Sequence, residues 1–97
     1  MTLRELTSKY IRNAERVFKE LKLAQDVVVI EEEKIKSIIE NARRYLDDSK
    51  YYEKANKLDT SLASVAYCEG LLDTLRLLGV VEFTWPTKKR LRREKSF

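Results

Sequence analysis

From Leu3 onward the apolar residues Leu3, Leu6, Tyr10, Ala14, Val17, Leu21 and Ala24 recur at spacings of three and four. That repeat lays one continuous stripe along an α-helix of about six turns. Thr2 and Glu5 stand in the Thr-x-x-Glu spacing in which each side chain satisfies the other's backbone N–H, so the helix has a legible start. Its other face pairs Glu5 with Lys9, Glu15 with Lys19 and Arg16 with Glu20, each four residues apart, as a solvated face would. The pattern then breaks. Val27, Val28, Val29 and Ile30 are β-branched, lose rotamer freedom in a helix, and predict an extended connection folded over one end of the helices, with a lone edge strand as the alternative.

Glu31, Glu32 and Glu33 suit the positive end of a second helix. Ile35, Ile38, Ile39, Ala42, Tyr45, Leu46, Ser49 and Tyr52 carry that helix forward at the same spacings to about Ala55, and Asn56 is placed to cap the third helix. In that third helix, projection at 100° per residue puts Val65, Cys68, Leu71, Leu72, Leu75 and Leu78 on one broad face, with Ser61 and Ser64 adding small side chains that let backbones approach. Arg76 in the last turn suits the helix dipole, and Gly79 followed by Val80 has the form of a left-handed cap. Val81, Phe83 and Trp85 then alternate with Glu82 and Thr84 as an extended strip with one buried side, which Pro86 closes. These patterns predict an all-α, antiparallel three-helix bundle in a single domain over residues 1–86. Its helices span about 2–24, 31–55 and 57–78, the third supplies the densest core, the strip 80–86 packs back, and residues 87–97 form a tail.

Composition narrows the picture. Hydrophobic residues at 43% with two Gly and one Pro are too apolar and unbroken for a disordered chain and too poor in turn residues for many short strands. Eleven Lys and eleven Glu, against six Asn, Gln, Cys and Met together, are a balance that recurs in proteins from hot environments. The net charge of +4 is unevenly placed. Lys88, Lys89, Arg90, Arg92, Arg93 and Lys95 face one acid, Glu94, in residues 87–97, whereas residues 1–86 hold 14 basic and 15 acidic side chains. The body is balanced and the tail alone is basic, so the tail is expected to be disordered until something acidic meets it. A single cysteine, Cys68, permits no internal disulfide and reads as a small buried hydrophobe in a reducing compartment. Arg4 and Glu5 stand where a signal peptide would need its apolar region, and the run Leu77 to Val81 is far short of the roughly 20 residues of a membrane span, so a cytoplasmic protein is expected.

The stretch Tyr45-Leu46-Asp47-Asp48-Ser49 and the run from Leu62 to Gly79, above all Tyr67, Glu69-Gly70 and Leu72-Asp73, resemble a family of short archaeal proteins known as domain of unknown function 357. The resemblance covers the second half of the second helix and all of the third; it implies a three-helix bundle, an archaeal source and a domain that also occurs joined to nucleotidyltransferase-like domains, and it implies no known activity. Ser49, Cys68 and Thr74 stand where the family favours alanine or another small residue, and Asn56-Lys57 where Gly-Asp is commoner.

Catalysis has little material. The chain has no His, its one Cys has no base to activate it, and two glycines cannot build a phosphate-cradling loop, so no enzyme, cofactor or metal is expected. Glu69 and Asp73, four apart with Arg76 beyond, would make ligands for a hard cation with Asp47 or Asp48; the plainer account is that Arg76 offsets Asp73 on a polar edge. Gly70 within a helix costs about 1 kcal/mol relative to Ala and suggests close approach of a neighbour, helix or ligand. Tyr67, Glu69, Gly70, Asp73 and Arg76, off the centre of the core face, are therefore the candidate interaction surface. Tyr45, Tyr51 and Tyr52 with Phe83 and Trp85 would form an aromatic surface for stacking bases beside the tail, but Tyr45 and Tyr52 fall on the core stripe and leave Tyr51 as the exposed ring. The expected role is a helical module that binds a protein partner or itself. Nucleic-acid (RNA) binding through the six basic tail residues is the alternative, and a carboxylate metal site on the third helix is a third.

Overall fold

The structure, a computed structural model, describes residues 1–86 and contains three helices, α1 (Leu3–Glu20), α2 (Glu32–Lys54) and α3 (Leu58–Leu77), with no strand among the described residues. The all-α class agrees with the periodicities. The tail expected at 87–97 lies outside the described residues.

Thr2 caps α1 as its spacing predicts: Glu5 N–H donates to the Thr2 hydroxyl at 3.1 Å and Thr2 N–H donates to the Glu5 carboxylate at 2.9 Å. The helix ends at Glu20, with Leu21 already extended, and the chain runs without regular structure to Glu31. Asn56 plays a different part from the one expected. Its φ of 61° is left-handed. Lys57 N–H donates to Tyr52 O and Asn56 N–H to Glu53 O, so Asn56 terminates α2 in a Schellman turn and does not start α3. The N-cap of α3 is Lys57, which makes no side-chain capping bond. Gly79, at φ 79°, ends α3 with the same turn: Val80 N–H reaches Leu75 O and Gly79 N–H reaches Arg76 O.

Helices α2 and α3 pack along their lengths. Ser49 lies against Ser61, and the Tyr45 ring lies 4.4 Å from that of Tyr67, so the two helices run antiparallel as a hairpin. The buried residues are Ala42 and Ser49 of α2 and Ser61, Cys68 and Leu75 of α3, a seam of mostly small side chains with Leu75 only 2% exposed. At its centre Ser49 Oγ donates to Ser61 O and Ser61 Oγ donates to Ser49 O, both at 2.8 Å. Each hydroxyl bonds the other helix's backbone, which is possible only because no larger side chain holds the backbones apart.

The packing of α1 differs from the expected bundle: it packs on neither α2 nor α3, and none of its residues is buried. The periodicity identifies which side of α1 is apolar but carries no information about which surface covers it. In consequence Ile35, Ile39, Leu46, Val65 and Leu72, which a third helix would cover, remain only half-buried.

Candidate interaction surface

Two flanks of the hairpin and the face of α1 hold the residues singled out by the sequence. On the first flank the Tyr45 and Tyr67 rings meet at an interplanar angle of 30°, bracing a groove of about 330 Å³ lined by Asn41, Arg44, Tyr45, Asp48, Tyr67 and Leu71. The Arg44 guanidinium donates to the Asn41 side-chain carbonyl along its rim.

The second flank is shaped by the strip. Gly79 turns the chain back, and the period-two alternation sets Phe83 and Trp85 on the same side, edge to face with centroids 5.0 Å apart. Trp85 Nε1 donates to Asp73 Oδ1 at 3.0 Å, and the same oxygen accepts from Arg76 Nε at 3.1 Å and Nη2 at 2.8 Å. The Arg76 guanidinium stands 5.9 Å from the Phe83 centroid, within cation–π range. Asp73 and Arg76 are thus engaged inside the chain, anchoring the strip to α3. Ala66, Glu69, Gly70, Asp73 and Trp85 line a shallow cleft of about 250 Å³ beneath it.

The five candidates of α3 are therefore not brought to one place: Tyr67 belongs to the groove with Tyr45, and Glu69, Gly70, Asp73 and Arg76 belong to the strip side. Among the described residues no close neighbour stands at Gly70, since a Cβ built on it meets nothing within 4 Å. Among the described residues no three His, Cys, Asp or Glu side chains gather as metal ligands would. Cys68 is buried, and burial, helped by the Glu69 charge and opposed by Arg43, pushes its thiol pKa up, away from nucleophilic character.

Sequence periodicity missed the width of the α1 face. Ile11 and Phe18 sit beside the stripe and broaden the apolar sector to well over a third of the helix circumference. Leu3, Leu6, Tyr10, Ile11, Val17, Phe18 and Leu21 are all exposed, Phe18 by 77% and Tyr10 by 64%. Counting residues at 80° to 100° from the stripe would have found the two extra positions.

An all-α protein built on a two-helix hairpin, with a separate amphipathic helix, is the class these features define. The chain belongs to the family described as Protein of unknown function (DUF357), whose sequence profile matches residues 9–81, from mid α1 to just beyond the cap of α3. No significant match was found among curated proteins or among solved structures. No helix among the described residues is long and apolar enough to cross a membrane.

Proposed function

We propose that this protein is a non-catalytic helical module of the cytoplasm that works by binding protein, either another chain or its own kind. The apolar face of α1 carries the proposal: six large side chains stand exposed on the helix, with Leu21 at its end, and neither α2 nor α3 packs on it. Folded monomers seldom leave a contiguous apolar patch above a few hundred Å², and patches of that size mark association surfaces. The absence of His from the sequence and the burial of Cys68 support a role without chemistry.

The test compares the full chain with a Leu6→Glu/Val17→Glu variant, both positions being exposed. The expected result is that the variant stays helical but loses self-association or the proteins retained by the wild type. Unchanged mass and unchanged retained proteins would refute the proposal.

The charge of residues 87–97 supports a second reading, sequence-tolerant binding to nucleic acid. Removal of those residues then abolishes retention on RNA at low salt. A full-length chain that is not retained excludes this reading.

A further inference from the structure

Resting on the interaction reading above, we infer that the partner of α1 is a second copy of this chain: α1 of each copy covers the α2–α3 groove of the other, in a two-fold dimer that exchanges its first helix. The groove is the line of half-buried Ile35, Ile39 and Leu46 on α2 beside Val65 and Leu72 on α3. Exposed Leu62, by 68%, stands at its edge. Projected at 100° per residue, these side chains lie on one side of the Ser49 and Ser61 seam, opposite the side that carries Tyr45 and Tyr67.

Charge separates the possible occupants. Residues 1–24 hold six basic and three acidic side chains, whereas residues 25–86 hold eight basic and twelve acidic. A basic helix is drawn to an acidic hairpin, while two α1 helices laid against each other would set like charges together. The apolar face of α1 therefore finds both its apolar and its electrostatic complement in the hairpin of its own sequence.

The connection can reach the hairpin of another copy, and α1 makes no contact with its own. It runs from Leu21 to Glu31 without helix, and Val27, Val28 and Val29 are all exposed. Helix connections in bundles commonly take two to eight residues. This one is longer, and its β-branched run prefers extended backbone, which carries the chain away from the start of α2. Its eleven residues reach up to about 36 Å, roughly the length of α2, so α1 can be carried clear of its own hairpin. In a two-fold dimer the two apolar connections pass one another and give each other cover.

The area suffices. Burying the six apolar side chains of α1 and Leu21 at on the order of 100 Å² each removes ~700 Å². The half-buried groove residues with Leu62 give up ~400 Å², and symmetry doubles the sum to ~2,200 Å², above the roughly 1,200 to 2,000 Å² of a standard stable interface.

The test uses full-length protein and sedimentation equilibrium at about 50 μM, with native mass spectrometry to resolve mixed species. Wild type is expected at about 23 kDa, twice the 11.5 kDa chain mass. Leu6→Glu/Val17→Glu, which spoils α1, and Leu62→Glu, which spoils the groove edge, are each expected at monomer mass with helical circular dichroism retained. Mixing them pairs an intact groove with an intact α1 and restores a heterodimer. A monomeric wild type at this concentration overturns the exchange, whether α1 folds onto its own hairpin or onto a foreign protein, and in the latter case the interaction reading survives. A dimeric wild type whose two variants do not complement also overturns it, pointing to α1 pairing with α1.

Discussion

Ser49 and Ser61 decide how closely α2 and α3 can run. Because each hydroxyl donates to the opposite backbone carbonyl, removing one leaves the other's bond in place. Ser49→Ala and Ser61→Ala are each expected to cost about 1 kcal/mol, and the double substitution to depart from the sum because the two hydroxyls lie 3.0 Å apart, as read from urea unfolding. Costs that add fully would show that the two hydroxyls act independently through the backbone carbonyls alone. Gly70 makes the opposite prediction. With open space where a Cβ would stand, Gly70→Ala is expected to raise stability by up to about 1 kcal/mol through helix propensity alone, leaving assembly unaltered. Loss of stability or of assembly on that change would show a neighbour at Gly70 after all. The small residues were legible in the sequence as a close-packed seam at Ser61. Their reciprocal bonding was not, because it depends on which residue of α2 lies opposite.

At the scale of the element, the helix ends are where sequence and structure agree most and differ most instructively. Thr2 with Glu5 and Gly79 with Val80 are local signals whose partners lie within five residues, so they could be read directly. Asn56 is ambiguous in the sequence because asparagine both starts helices and tolerates left-handed backbone, and only the observed φ separates the two uses. The box at α1 carries a pH dependence. Hydrogen bonds from the Thr2 backbone and hydroxyl hold the Glu5 carboxyl below the usual glutamate range. A carboxyl lowered in the helix favours the helix above its unfolded pKa, and that contribution disappears as the pH falls through the lower, helical value. Circular dichroism at 222 nm is therefore expected to fall more steeply on acidification below about pH 4 for wild type than for Glu5→Gln. Superimposable curves would mean the box contributes nothing in solution. Trp85 reports the strip in the same way: Asp73→Ala removes the acceptor of its indole N–H and is expected to shift its fluorescence to the red.

For the whole molecule, the periodicities revealed three helices and their apolar faces but not the arrangement of those faces, which is a property of surfaces that meet. Val65 and Leu72 read as core and are only half-buried, since α1 leaves them uncovered. Tyr67, Glu69, Gly70, Asp73 and Arg76 were legible as residues off the core face, yet the strip claims Asp73 and Arg76, and the broad face of α1 has the stronger claim to a partner. The hairpin folds on its own seam, and in the proposed exchange the first helix is held only by association. Amide hydrogen exchange of the full chain, followed residue by residue across a hundredfold range of concentration, tests that division most directly. Protection of α2 and α3 is expected to persist on dilution while that of α1 falls with it. Protection of α1 equal to that of the hairpin at every concentration would contradict it.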